Sequence, residues 1–420
     1  MIPYDYRPGI GRIYRTRKRS ILESEHFTVE QKKEFVFNRV KAIAVYAFNN
    51  IPFYKELYQN NGINPESLKT FDELDSLPII TKADLQSVPL EFRSFGIKGR
   101  LLENTGGSSG HPLELYIEPN SVGHEWAHMH YIWKKLGFKQ SDLKVVFGGR
   151  ADVENVVQYD SARHQFNVDI YSGWQSVADK LLQIFDKYSP KYLHGYPSSI
   201  FDFMIWLDNN NHPLLPIMRN HIKGMFLGSE LPSPHLRSTT EKILDCKSIS
   251  WYGHTERSIL AYEESAPGIY SPFVTYGFAE MIDDGRLICT SYYNRASPLI
   301  RYDTGDRIEG NLNHGLLESF TISDGREGEY VLDKLGNKIF LTGLVFGRHH
   351  RLFDIARHIQ IYQPRIGAVV VLVTPRDELT PEDASEYFDT SNVQLDFEFR
   401  VIAEPIRTKV GKVPLLVKNV

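Results

Sequence analysis

The segment Thr105-Gly106-Gly107-Ser108-Ser109-Gly110 packs three glycines and three hydroxyls into six residues. Glycines let backbone amides approach anionic oxygens closely, and the hydroxyls of Thr105, Ser108 and Ser109 add side-chain donors, so this stretch suits a phosphate. The same residues also suit an ordinary hairpin turn. A Walker-type loop does not fit. No Gly-Lys-Ser/Thr follows, and Leu113 to Ile117 alternates like a strand instead of opening a phosphate-capping helix.

A second segment, Trp251-Tyr252-Gly253-His254-Thr255-Glu256, joins aromatic faces, a glycine, a hydroxyl and a carboxylate. Such a set can stack a base, bond a phosphate and supply an oxygen ligand to magnesium, although a plain strand-to-loop turn uses the same residues. In Leu299-Ile300-Arg301-Tyr302-Asp303-Thr304-Gly305-Asp306 a buried-type strand delivers two aspartates around a Thr-Gly turn. A carboxylate there can accept from both hydroxyls of a ribose, or can simply make an Asx turn. Ser323-Asp324-Gly325-Arg326 offers an arginine beside a glycine, and Arg407-Thr408-Lys409-Val410-Gly411-Lys412 offers a lysine on a turn. A mobile lysine can neutralise charge developing between a carboxylate and a phosphate.

The elements that must position these residues read as layered α/β. Thr28 and Gln31 form a capping-box start, and Val36, Val40, Ile43 and Ala47 recur at helical spacing, which predicts a helix from about 29 to 49. Short helical pieces broken by turn residues run on to Pro78. From Leu101 onward short apolar strands alternate with helical stretches, Val145, Val146 and Phe147 running into glycines. After Asp324 the pattern becomes a compact α+β string: Tyr330 to Leu332, a buried-type strand from Ala368 to Val373, a helix opened by Thr380 and Pro381, and an alternating strand from Leu395 to Ile402. The expected organisation is a large N-terminal domain over 1–323, with a helical lead-in over about 1–95, and a small mobile C-terminal domain over 324–420.

Composition agrees with an enzyme of this size. The 420 residues, 42% hydrophobic and 24% charged, describe a globular chain and not a disordered one, and the net charge of −4 argues against general nucleic-acid binding. Arg7, Arg12, Arg15, Arg17, Lys18 and Arg19 read as a solvated basic arm. No apolar run follows them to make a signal core, and none elsewhere spans a bilayer, so a cytoplasmic location without membrane attachment is expected. Cys246 and Cys289 are too far apart, and too few, for a disulfide framework or a zinc site.

Taken in order, these segments resemble the adenylate-forming superfamily, and within it the phenylacetate-CoA ligase and capsule-biosynthesis ligase-like branch. Phe53-Tyr54, Leu57-Tyr58 and Leu77-Pro78-Ile79-Ile80-Thr81-Lys82-Ala83-Asp84-Leu85 are similar to that family's lead-in. The resemblance implies that Thr105 to Gly110 is the mobile phosphate loop and that Gly228-Ser229-Glu230, with Tyr252 and Gly253, surrounds adenine. By the same resemblance Thr255 contacts the α-phosphate, Glu256 holds magnesium, Asp306 holds the ribose with Arg326 beside it, and Lys412 is the catalytic lysine. Where the family carries an acidic hinge pair, this chain has Glu327-Gly328-Glu329, and its cysteines cannot supply the metal site of some members, so magnesium is the only metal expected.

The resemblance further implies ATP-dependent conversion of a carboxylic acid to an acyl-adenylate, then transfer to coenzyme A. Transfer to an amine, giving an amide in polysaccharide or natural-product synthesis, is the alternative. A nucleotide-binding sensor or scaffold is the non-enzymatic one, and a homodimer is the family expectation. Position alone nominates Phe147-Gly148-Gly149-Arg150, His194 and Tyr196 of His194-Gly195-Tyr196-Pro197, and His254 for the acyl pocket, with Arg150 open to a second carboxylate.

Overall fold

The structure, a computed structural model, describes residues 2–104, 113–150, 152–323, 329–346, 348, 350–376, 378–407 and 413–418. The basic N-terminus is a helix, α1 (Gly11–Ser24), and not a free arm. Arg17 leaves solvent to lie 3.5 Å over the Tyr293 ring, while Arg12, Arg15, Lys18 and Arg19 stay exposed. In α2 (Val29–Asn50) the capping box is present: Thr28 Oγ1 accepts from Gln31 N, and Gln31 Oε1 accepts from Thr28 N at 2.9 Å. The stripe of Val36, Val40, Ile43 and Ala47 is buried as expected. Together with α3 (Pro52–Asn60) it packs against Leu299, Ile300 and Tyr302. The lead-in ends at α4 (Lys82–Gln86). Just before it, Ile80 exchanges backbone hydrogen bonds with Arg301 and Asp303.

Strands β1 (Leu101–Asn104) and β2 (Glu114–Ile117) pair antiparallel on either side of residues 105–112. After α5 (Ser121–Lys134) come β3 (Lys144–Phe147), β4 (Val157–Asp160), β5 (Gln165–Val168), β6 (Tyr192–Gly195), β7 (Gly224–Leu227) and β8 (Lys247–Gly253), interleaved with α6 (Trp174–Phe185), α7 (Pro197–Asn209), α8 (Leu214–His221) and α9 (Pro234–Leu244). The meander β9 (Leu260–Glu263), β10 (Tyr270–Pro272), β11 (Gly277–Met281), β12 (Arg286–Ser291), β13 (Tyr302–Asn313) and β14 (Leu316–Ile322) completes one twelve-stranded sheet of order β11-β12-β13-β14-β10-β9-β8-β7-β6-β3-β5-β4. Strands β5, β3, β6, β7 and β8 run parallel, and every pairing from β8 toward β11 is antiparallel. The parallel strands are covered on both faces, and β3, β5 and β7 are buried at every position. Tyr192, Phe226 and Ile249 face the α1–α5 layer, while Leu193, Met225 and Leu227 face α6, α7 and α8.

The remaining chain forms a hairpin, β15 (Tyr330–Leu332) and β16 (Lys338–Phe340), then α10 (Leu352–Ile355) and a four-stranded sheet. That sheet takes β17 (Ala356–Arg365), β18 (Ala368–Pro375), β19 (Asp396–Val401) and β20 (Leu416–Val417) in the order β19-β18-β17-β20. Helix α11 (Pro381–Tyr387) starts at a Thr380–Asp383 capping box. Ile359, Ile361, Val369 and Val371 of this sheet share one apolar cluster with Val145 and Leu193 of the large sheet. Among the described residues no helix is long and apolar enough to cross a membrane, and Cys246 and Cys289 are unbridged.

Candidate active site

Parallel strands present their carboxyl ends on one side, and a ligand crevice forms where the strand pattern switches. Here the switch falls at β8, and the ends of β3, β6, β7 and β8 open into a cavity of about 1240 Å³. Gly148, Arg150, Tyr196, Ser229, Glu230 and the run from Tyr252 to Glu256 line it from these strands, and Asp306 lines it from β13.

The Tyr252 hydroxyl donates to Asp306 Oδ2 at 2.5 Å, and the Phe320 ring meets Tyr252 edge-on with centroids 5.4 Å apart. The two aspartates of the Thr-Gly turn thereby separate. Asp303 is engaged by Arg286 at 2.7 Å and by Gly305 N at 2.9 Å, which leaves Asp306 as the carboxylate offered to the cavity. Beside it His254 Nδ1 lies 3.3 Å from Glu256 Oε2. Burial is the largest single influence and disfavours the charge on both, but the partner's charge, the hydrogen bond between them and further groups (Asp306 and Glu125 for the imidazole, Lys82 and a backbone amide for the carboxyl) together prevail, so the imidazole is raised above its ordinary pKa and the carboxyl held below its own. Glu230 Oε2 accepts from Ser198 N at 3.0 Å, and Ser229 adopts φ 70°, a left-handed backbone rarely held without a local purpose.

Other nominated residues do not face the cavity. Phe147 is fully buried in the apolar core, and the half-buried His194 packs against Trp133 and Trp251 with Nδ1 3.2 Å from the Phe226 carbonyl, so both are corrected to structural residues. A run of four residues at a strand end necessarily sends some side chains back into the sheet. The position after His194 must be glycine, because a Cβ at Gly195 would stand 2.1 Å from the Phe147 carbonyl oxygen. Gly228 lies beneath the Trp251 indole. Gly149 abuts Gly343, with 2.7 Å between its would-be Cβ and the Gly343 Cα. Arg150 lines the cavity rim but is held by Asp152 in a two-pronged pair at 2.9 and 2.8 Å. The phosphate-loop residues Thr105 to Gly110, Arg326 and Lys412 lie outside the described residues.

Several lining residues were not nominated for the site: Thr81 and Lys82 at the start of α4, read only as part of the lead-in, and Glu125 on α5, Tyr276 before β11 and Asp354 on α10. Only Thr81 left a signal, as the cap of a helix beginning at the cavity. Asn104, the residue before the phosphate-loop segment, donates to Asp354 Oδ1 at 3.0 Å and so ties that segment's base to the C-terminal part.

For magnesium, no group of three His, Cys, Asp or Glu side chains stands ready among the described residues. One carboxylate ligand, from the cavity-lining Glu256, is the protein donor expected of a cation that arrives on substrate phosphates and keeps several waters, so the residues present fit it in that form.

This fold is that of solved adenylate-forming enzymes. No family model matches the chain. Its sequence is similar to Protein CapK of Staphylococcus aureus, 24% identical over 291 residues, which is 66% of this chain and 62% of CapK. It is also similar to the phenylacetate-coenzyme A ligase of Pseudomonas putida, 23% identical over 318 residues and 70% of each chain. The solved structure of 2-hydroxyisobutyryl-CoA ligase, bound to 2-HIB-AMP and CoA in its thioesterification state, superposes with a TM-score of 0.58 at 17% identity, covering 100% of this chain and 95% of that one. The chain thus has the adenylate-forming fold, and its sequence relatives include phenylacetate-coenzyme A ligases and CapK.

Proposed function

We propose that the chain activates a carboxylic acid with ATP, forming an acyl-adenylate and pyrophosphate, and then transfers the acyl group to coenzyme A with release of AMP. The observation that carries this reading is the side-by-side presentation of Tyr252–Asp306 and His254–Glu256 at the switch point of the large sheet. The similarity to phenylacetate-coenzyme A ligase supports the thiol acceptor. In this reading Asp306, fixed by the Tyr252 hydroxyl, accepts from the ribose hydroxyls, with Arg326 beside it. Ser229 and Glu230 border adenine, and the exposed Thr255 at the strand end reaches the α-phosphate. Residues 105–110 wrap the β- and γ-phosphates. Glu256 would hold magnesium, which when bound offsets charge on the departing pyrophosphate. Lys412 donates to the oxygens shared by carboxylate and α-phosphate, so the attacking and leaving oxygens stay in line. A small domain over 324–420 carries Lys412 in and out, and the reaction takes place in the cytoplasm. Acid-dependent exchange of labelled pyrophosphate into ATP tests the first step, and AMP release that requires coenzyme A tests the second. Release driven by an amine instead assigns the amide-forming alternative.

A further inference from the structure

The cavity lining offers the acid a charge opposite to the one the sequence suggested. Arg150, the candidate for meeting a second carboxylate, is occupied by Asp152. The lining carboxylate that forms no ion pair among the described residues is Glu125, on the first turns of α5. Its Oε2 accepts a short hydrogen bond from the Tyr276 hydroxyl, and among the described residues no lysine or arginine forms an ion pair with it. Arg257, the nearest candidate in sequence to the site, donates to Ser121 Oγ at 2.8 Å. Two cationic groups act on the pair from a distance: Glu125 contributes to raising the His254 imidazole, and the Arg257 charge acts on the Tyr276 hydroxyl. The ring of His124 packs 4.6 Å from that of Tyr276 and His128 lies 5.2 Å away, and burial holds both imidazoles uncharged, His128 down to about 3. Trp251 and Leu260 give the same cavity an apolar wall.

A half-buried carboxylate that already accepts one phenolic proton retains lone pairs directed at whatever occupies the cavity, and a ligand without a donor there leaves them unpaired at a cost. We infer that the acid activated here carries a hydrogen-bond donor on its acyl part, an ammonium or a hydroxyl, received by Glu125, with Tyr276 as the positioning residue that fixes the carboxylate. A second carboxylate is rejected by the same charge. This rests on the adenylation reading, since it names the substrate class of that site.

The experiment is pyrophosphate exchange with matched sets of short acids, each set holding an unsubstituted, an ω-amino, an ω-hydroxy and an α,ω-dicarboxylate member, on wild type, Glu125→Gln and Glu125→Lys. The expected result is a preference of about tenfold or more in kcat/KM for a donor-bearing member over the unsubstituted one. If the donor is an ammonium, Glu125→Gln abolishes the preference; if a hydroxyl, part survives. Glu125→Lys shifts the preference to the dicarboxylate. A wild-type preference for the unsubstituted or dicarboxylate member, or a donor preference unchanged in Glu125→Gln, overturns the inference. Calorimetric binding of the same acids with AMP present separates the two readings. No exchange with any acid sinks adenylation, while equal binding of amino, hydroxy and unsubstituted acids sinks the role of Glu125.

Discussion

Tyr252 and Asp306 are 54 residues apart in sequence, yet the phenol of one holds the carboxylate of the other at 2.5 Å across β8 and β13. One hydrogen bond thereby couples the aromatic proposed for adenine to the carboxylate proposed for ribose. Tyr252→Phe keeps the ring and frees the carboxylate, so the account expects the KM for ATP to rise about tenfold with a smaller change in kcat. Asp306→Ala removes the acceptor itself and is expected to weaken nucleotide binding further. Steady-state kinetics with ATP varied, alongside calorimetric AMP binding, reads both variants.

Strand β8 owes its position to a buried ion pair at its outer end. Arg237 of α9 grips Glu263 with two hydrogen bonds at 2.6 and 2.8 Å, and Glu263 also accepts from Ser250 N and Gly268 N. Removing one partner strands the other charge in the interior, so Arg237→Met is expected to cost about 3–5 kcal/mol in chemical denaturation. The double variant Arg237→Met/Glu263→Leu recovers most of that loss.

Glu280 gives stability a pH dependence that can be isolated. Burial pushes its carboxyl up to about 7, against the opposing charge of Arg301 at 3.0 Å and with Asp75 adding to the rise. A carboxyl raised in the folded state stabilises fully below its unfolded value of about 4.5 and loses that contribution as pH rises through about 7. Melting temperatures from pH 5 to 8.5 should therefore fall less steeply in Glu280→Gln than in wild type, and parallel profiles would refute the assignment.

The contact of Gly149 with Gly343 leaves no room for a methyl group, since a Cβ on Gly343 would also stand 2.7 Å from the Tyr171 hydroxyl. Gly343→Ala is expected to loosen the C-terminal part from the end of β3, visible as faster hydrogen exchange in β15 and β16, while the protection of β6 and β7 holds.

The segments that carry chemistry were legible because they are local. A strand end, a glycine and a polar residue lie within a few positions, as in Tyr252 to Glu256 and Asp303 to Asp306, and the C-terminal strands and the α2 cap show plainly in their periodicity. Residue types alone left Asp303 and Asp306 equivalent and only the resemblance favoured Asp306; the pairing of Asp303 with Arg286, which the β12–β13 pairing brings near, supplies a physical reason. Glu125 and Tyr276 were invisible for a related reason. They lie 151 residues apart, and α5 reads by its pattern as a buried aromatic and histidine face. Arg150 reaches the cavity rim as its position suggested, and its pairing with Asp152 depends on the loop beyond the strand, which the strand pattern leaves open. Phe147 and His194 belong to strand ends whose pleat turns them inward, a matter of register that spacing alone leaves open.

The central claim is that this cavity makes acyl-adenylates. Exchange of labelled pyrophosphate into ATP, run over a panel that includes donor-bearing acids with wild type, Asp306→Ala and Lys412→Ala, tests it most directly. The account predicts exchange that depends on the acid and falls by about a hundredfold or more in Lys412→Ala. ATP binding without exchange for any acid, or exchange undiminished in both variants, would contradict it.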